Sequence, residues 1–321
     1  MTATKNFLHV DTHHDAIWYS GCLQQERSIV KRFQQISPRI LVKPVDAVCI
    51  MQSDLDAYPL VVTDNQFLHK PSCNVIDLAP FFWGIYHCAA ILNTTEQPSK
   101  LFNCMINRIS GERQRMLYQL YSHGLLDQGH VSYNCLYHAP DPGIDQRKIN
   151  FDTVRADCDL IGFDDAHHDL KSRVPLLLNM TPDDAAMDSK ITLVMETYVS
   201  NWVIAISEKI FRVLQTPRPW LVYCTPGTVR MLREHGFDVL DDYVDHHRYD
   251  SIENHWQRMD TIIDMMKNFN AILNHARLAQ AAAHNRALLA SFKEKLPAHI
   301  DHCVQSTDDL YHARSNTKSS D

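Results

Sequence analysis

Apolar residues fall along the chain in short runs separated by polar breaks. Ile40-Leu41-Val42, Ala47-Val48-Cys49-Ile50 and Leu60-Val61-Val62 come early, Leu101-Phe102-Asn103-Cys104-Met105-Ile106 next, and Ile191-Thr192-Leu193-Val194-Met195 and Pro219 to Tyr223 later. Runs of this length bounded by turn residues predict strands. Helical patterns alternate with them. A turn over Asn107 to Glu112 leads into a helix with Met116, Leu117, Leu120 and Tyr121 on one face, and further helices are expected from Ser207 to Leu214 and from Thr228 to His235. Alternation of strand and helix is what a parallel sheet requires, so the class is α/β. Phe7-Leu8-His9-Val10 predicts a short first strand that ends in the polar loop Asp11-Thr12-His13, and α/β folds carry function at the carboxyl ends of their strands. From Asp250 to about Ala282, apolar residues recur at Ile252, Trp256, Met259, Ile263, Met266, Leu273 and Ala276, which predicts one long amphipathic helix. The polar tail from Ser306 is expected to fray.

The polar, proline-containing stretch Thr94 to Lys100 is the best linker. It divides the chain into an N-terminal α/β domain (1–97), a second α/β domain (98–270) and a C-terminal helix with a polar tail (271–321). A chain of 321 residues is long enough for two cores. No apolar stretch approaches the roughly 20 residues of a membrane span. The first residues, Met1-Thr2-Ala3-Thr4-Lys5-Asn6, lack the basic-then-apolar pattern of a secretory signal, so a cytoplasmic protein is expected. Nine cysteines, scattered singly with no C-x-x-C pair, fit reduced and mostly buried thiols. A formal charge of −7 argues against broad attraction to nucleic acid but leaves room for a local basic cleft.

The 19 histidines include doublets beside acids: Asp11-Thr12-His13-His14-Asp15, Asp164-Asp165-Ala166-His167-His168-Asp169 and Asp245-His246-His247. Adjacent histidines point to opposite faces of a strand and about 100° apart on a helix, so a doublet rarely gives two ligands to one ion. No metal site is assigned. Three other segments carry the chemistry of an anion site. In Ser207-Glu208-Lys209, Ser207 is placed to cap a helix and Glu208 to sit in its first turn, with Lys209 able to reach a phosphate at the same end. In Thr225-Pro226-Gly227-Thr228, a strand runs into a turn where Thr225 is expected to cap the next helix and Pro226 and Gly227 to open it. Asn107, Arg108, Arg113 and Arg115 follow another strand, and a guanidinium fork matches phosphate oxygens.

The order of these pieces resembles the donor domain of the α-1,3-fucosyltransferase family. There a strand, a Thr-Glu-Lys segment, a helix and a further strand follow one another, as Ile191 to Thr197, Ser207-Glu208-Lys209 and Arg218-Pro219-Trp220-Leu221-Val222 do here. A phage and bacterial fucosyltransferase-like branch is the nearer likeness. It is carried by Gly124 to Asn134, by Pro226-Gly227-Thr228 through Leu232-Arg233-Glu234-His235-Gly236-Phe237, and by Tyr249-Asp250-Ser251-Ile252-Glu253-Asn254. The likeness covers roughly residues 100 to 265. Glu196 is followed by Thr197 where the family has Asn, and the last turn is Thr-Pro-Gly. The resemblance implies two Rossmann-like domains (the GT-B arrangement), inversion at the anomeric carbon, and a GDP- or UDP-sugar donor with no metal. It implies that Lys209 and Arg113 grip the diphosphate, with Arg108 or Arg115 as an alternative clamp, and that Glu196 and Glu208 contact the ribose or sugar. The general base would come from the N-terminal side, where Asp11 and Asp15 are the candidates, followed by His13 and His14. The acceptor stays open among a glycan, a lipid, a protein and a modified base of phage DNA. Two other classes stand beside this one: a metal-dependent hydrolase using the His/Asp clusters, and a non-catalytic nucleotide-sugar-binding protein.

Overall fold

The computed structural model describes residues 32, 35, 41–43, 60–63, 66–67, 74–77, 97–106, 111–133, 182–196, 199, 203–204 and 206–317. The strands in chain order are β1 (Leu41–Lys43), β2 (Leu60–Thr63), β3 (Gln66–Phe67), β4 (Asn74–Asp77), β5 (Lys100–Ile106), β6 (Gly129–Tyr133), β7 (Ser189–Met195), β8 (Val203–Ile204) and β9 (Trp220–Tyr223). The helices are α1 (Gly111–Ser122), α2 (Pro182–Met187), α3 (Glu208–Leu214), α4 (Thr228–Glu234), α5 (His247–Asp250), α6 (His255–Lys267) and α7 (His275–Thr317). The chain is therefore α/β with C-terminal helices, and among the described residues no helix is long and apolar enough to cross a membrane.

Two compact units are present: Met1–Ala89 with Ser200–Arg212 and His284–Asp321, and Ala90–Val199 with Val213–Ala283. Each is assembled from separated stretches, unlike the consecutive division at 97 and 270 that the linker pattern predicts. Ser207-Glu208-Lys209 accordingly belongs to the first unit. In that unit β1, β2 and β4 form a parallel sheet in which Val42 pairs with Val62 and Val62 with Ile76, while β3 and β8 pair antiparallel. The expected strand at Phe7 to Val10 and the run Ala47 to Ile50 lie outside the described residues.

The second unit is built on a four-stranded, fully parallel sheet in the order β6-β5-β7-β9. Phe102 and Cys104 on β5, Ile191 on β7 and all four residues of β9 are buried. Both faces are covered, which is why these strands read as continuous apolar runs and not as alternating ones. The predicted face of α1 is present, since Met116, Leu117 and Leu120 are fully buried, while Tyr121 is half-buried. That helix packs against α6, which in turn lies on β9, and α2 packs on β5 and β7. The chain passes from β5 outward to β6, then returns across β5 to β7 and on to β9. The connection thus reverses between β5 and β7. In open parallel sheets this reversal opens a crevice at the carboxyl ends of the two strands, where ligands bind.

The opposite edge of the sheet is held by an internal latch. Asp188 accepts from the Ser99 backbone N–H (2.9 Å), the Ser99 hydroxyl (2.5 Å) and the His130 Nε2 (2.8 Å), which ties the starts of β5, β6 and β7 together. Burial works to raise the Asp188 pKa, but the Ser99 bonds and His130 outweigh it and hold the carboxyl below its ordinary value. Serine and histidine both bond the same carboxylate and not each other, so this group is not a nucleophile-and-base pair.

Two expectations are corrected here. The single helix predicted from Asp250 to Ala282 is two helices, α6 and α7, broken over residues 268–274. Asn268 ends the first by donating from Nδ2 to the Asp264 carbonyl (2.9 Å), and the Asn274 side chain accepts the Arg277 N–H (3.2 Å) at the start of the second. Local amide side chains satisfy the exposed helix ends and make the interruption favourable although the apolar spacing continues through it. The tail expected to fray from Ser306 continues as α7 to Thr317, with Thr307 fully buried and bonded to the Cys303 carbonyl (2.7 Å).

Candidate functional site

Three chain segments meet the carboxyl edge of the four-stranded sheet: the start of α1 after β5, the residues after β7, and the β9–α4 turn. Arg113 lies in the first turn of α1 and is only 4% exposed. Glu196 directly follows β7, is 3% exposed, and donates its backbone N–H to the Tyr223 carbonyl (3.0 Å). Behind them, Asn103 Nδ2 donates to Thr192 Oγ1 (2.9 Å) and cross-links β5 to β7 inside the core. Burial pushes the Cys104 thiol up to about 12, with the Arg113 charge acting against the shift. Cys104, Cys224 and Cys303 are buried thiols outside any disulfide, as the scattered cysteine pattern predicts, and the other six lie outside the described residues.

The β9–α4 turn departs from expectation. Thr225 does not cap α4 with its side chain. The N-cap is Gly227, whose φ of 78° is left-handed and favours glycine, and no side chain of its own caps the helix. The capping carboxylate arrives from elsewhere in the chain. Asp250, at the end of α5, accepts from the N–H groups of Val229 (2.9 Å) and Arg230 (2.8 Å), while Gly227 N–H donates to the Asp250 carbonyl (2.6 Å). Burial holds the Asp250 carboxyl above its ordinary value despite these amide bonds and the nearby Arg233 and Arg230. Thr225 and Thr228 are each 1% exposed and bonded together, Thr228 Oγ1 donating to the Thr225 carbonyl (2.6 Å). The amino end of α4 therefore already holds an anion, the protein's own.

A second cluster, which the sequence does not single out, surrounds the end of β9. Arg258 of α6 is fully buried, with its guanidinium carbon 5.5 Å from the centre of the Tyr223 ring. Trp256, two residues after the N-cap residue Asn254, carries Arg115 of α1 over its ring at 4.7 Å and meets His255 edge-on at 4.1 Å. Burial lowers the His255 pKa, which Glu112 opposes and Arg258 and Arg115 reinforce. Arg115, a candidate cation of the sequence, thus stands near Arg258, Tyr223 and Trp256. Only a feature of the fold, the contact of α6 with α1 and β9, brings these together.

In the first unit, Ser207 does cap α3: its hydroxyl accepts the Lys209 N–H (3.3 Å). Lys209 Nζ in turn lies 3.0 Å from Ser207 Oγ and 3.3 Å from Glu208 Oε1. Asn107, Arg108, Asp11, His13, His14 and Asp15 lie outside the described residues, as do the histidines of the 167–168 doublet. The remaining doublet divides as helix geometry requires, with His246 fully buried and His247 exposed. Both His246 nitrogens are used, Nδ1 with the Tyr249 hydroxyl (2.6 Å) and Nε2 with the Val239 carbonyl (2.9 Å), and the tyrosine hydroxyl accepts the Val222 N–H of β9 (3.3 Å). This imidazole is a structural strut behind β9.

Burial depresses the His246 pKa from 6.5 to about 4, with the Val239 bond only partly opposing it. Between those values the unfolded chain binds a proton that the folded chain does not. Stability is therefore full above pH 6.5 and falls as pH drops toward 4. From pH 6.5 to 5 wild type should lose about 2 kcal/mol more than His246→Gln. Urea unfolding of both proteins across that window checks this, and parallel pH profiles would refute it.

No protein-family model matches the chain, and no curated protein matches it.

Proposed function

We propose that the chain is an inverting glycosyltransferase that transfers a sugar from a nucleoside diphosphate to a hydroxyl acceptor, with the donor held at the carboxyl edge of the β6-β5-β7-β9 sheet. The observation that carries this is that a buried cation, Arg113, and a buried acid, Glu196, lie on the two segments that leave β5 and β7 at the point where the sheet connection reverses. A cation there suits the diphosphate, whose negative charge grows as the glycosidic bond breaks, and an acid suits ribose or sugar hydroxyls. The order of motifs that resembles fucosyltransferase-like donor domains supports the same chemistry, with Lys209 as a further phosphate contact. Two Rossmann-like domains in the GT-B arrangement, a GDP- or UDP-sugar donor, and a general base at Asp11 or Asp15 complete the proposal. The acceptor classes are those left open by the sequence.

Metal independence belongs to the proposal because the buried cation Arg113 lies on the segment that leaves β5 at the sheet's carboxyl edge and, among the described residues, no Asp-x-Asp occurs. Calorimetric titration with GDP and UDP should show binding to one of them. Sugar transfer or donor hydrolysis, followed by release of that diphosphate, should persist in excess EDTA. Absence of binding to both nucleotides, or loss of activity in EDTA with recovery on adding manganese or magnesium, would overturn it.

A further inference from the structure

The end of β9 carries a buried positive charge whose donors are not all used. Arg258 is 0% exposed, and its Nη1 donates to the Ile252 carbonyl. Among the described residues, its Nε and Nη2 have no hydrogen-bond partner, and neither has the buried hydroxyl of Tyr223, whose ring the guanidinium overlies. The carboxylate that acts on Arg258 electrostatically, Asp250, is already committed to the amides of Val229 and Arg230. Burial presses the Arg258 pKa down, and the group remains charged because an arginine starts so high. Unbonded donors on a buried charge are costly to the fold.

The unused donors have a definite shape. Nε–H and one Nη2–H form the side-on face of the guanidinium, which takes two oxygens of a carboxylate or phosphoryl group at once. The Tyr223 hydroxyl adds a neutral donor, and Arg115 adds a second positive charge that also acts on Tyr223, opposed by the Glu112 carboxylate. Two cations and a hydroxyl favour the more highly charged oxyanion. We propose that Arg258 and Tyr223 form a buried phosphoryl subsite, in which Nε and Nη2 hold two phosphoryl oxygens and the Tyr223 hydroxyl donates to a phosphoryl oxygen. The subsite rests on the donor-site reading for the nucleoside attached to that phosphoryl group, and not for the phosphoryl contact itself.

Inorganic pyrophosphate, GDP and UDP serve as probes of the full chain in phosphate-free buffer, read by thermal shift and titration calorimetry. Pyrophosphate should raise the wild-type melting temperature in step with its concentration. Arg258→Met should weaken pyrophosphate binding more than tenfold, yet melt no lower than wild type without anion, because it removes a buried charge that lacks full compensation. Tyr223→Phe should weaken binding a few-fold and keep the fold. Failure of wild type to bind pyrophosphate, or equal affinity in Arg258→Met, would overturn the subsite. Should that variant fail to fold, Arg258→Lys and Tyr223→Phe decide, and wild-type affinity in both would overturn it equally. If pyrophosphate binding depends on Arg258 but neither GDP nor UDP binds wild type more tightly than pyrophosphate, the subsite stands and the donor reading falls. If GDP or UDP binds wild type tightly and binds Arg258→Met just as well, the donor reading stands and the subsite falls.

Discussion

Asp250→Ala should destabilise the protein by about 3 kcal/mol, one of the largest losses expected from a single substitution in the second unit. The carboxylate caps α4 across a gap of about twenty residues, accepting the N–H groups of Val229 and Arg230. Removing it strands two amides, one of them on the fully buried Val229, and a bond to a charged acceptor is worth roughly 1.5–3 kcal/mol. The cost of holding a carboxylate in the interior, visible in its raised pKa, offsets part of the gain and keeps the net near the lower figure for two bonds. Asp250→Asn keeps an acceptor oxygen without the charge and should lose about half as much. Urea unfolding at pH 7 measures both, and a loss under about 1 kcal/mol for the alanine variant would show that α4 caps itself.

The same cap shows what a sequence conceals. Thr225-Pro226-Gly227-Thr228 has the local form of a helix start, and α4 does begin there, at Thr228. Its anion, however, comes from α5, and no local pattern joins Val229 to Asp250. The strands were legible for the opposite reason. β5, β7 and β9 are covered on both faces, so unbroken apolar runs identify them without reference to partners. The break between α6 and α7 was hidden because Leu273 and Ala276 continue the apolar spacing, while the residues that end and restart the helix, Asn268 and Asn274, act through single side-chain bonds. Each is a signal of the kind that caps carry, overridden by a stronger periodic one.

The candidate site divides along the same line. Arg113, Glu196 and Ser207 are legible as candidates because each sits beside a strand end or helix start that the pattern itself marks. Arg258 has no sequence signal of its own between Trp256 and Met259, which the apolar spacing places on the helix's inward face. Its burial arises from the packing of α6 on β9, which places the guanidinium over Tyr223. The neighbouring Met259, Ile262, Ile263 and Met266 are all buried, in keeping with the apolar spacing that marks this helix as facing inward.

Lys209→Ala should weaken binding of the nucleoside diphosphate by about one to two orders of magnitude, corresponding to the roughly 1.5–3 kcal/mol of a charge-assisted bond. The expectation rests on the Glu208-Lys209 order that the fucosyltransferase likeness places at the donor phosphates, and on the structure of the segment. Ser207 caps α3, which holds Lys209 in its first turn, and the ammonium rests on Ser207 Oγ at 3.0 Å and Glu208 Oε1 at 3.3 Å. These two contacts come from the preceding residues, and the Glu208 side chain is 51% exposed. A pair of this kind contributes less than about 1 kcal/mol, so the variant should fold with nearly wild-type stability. Turnover should fall further than affinity, because the leaving diphosphate gains charge in the transition state and the lysine's contribution rises with it. Lys209→Arg keeps the charge on a longer, planar head and should recover only part of the activity. Titration of the folded alanine variant with GDP and UDP is the decisive measurement. Wild-type affinity would remove Lys209 from the donor site and leave the phosphate to the arginines of the second unit.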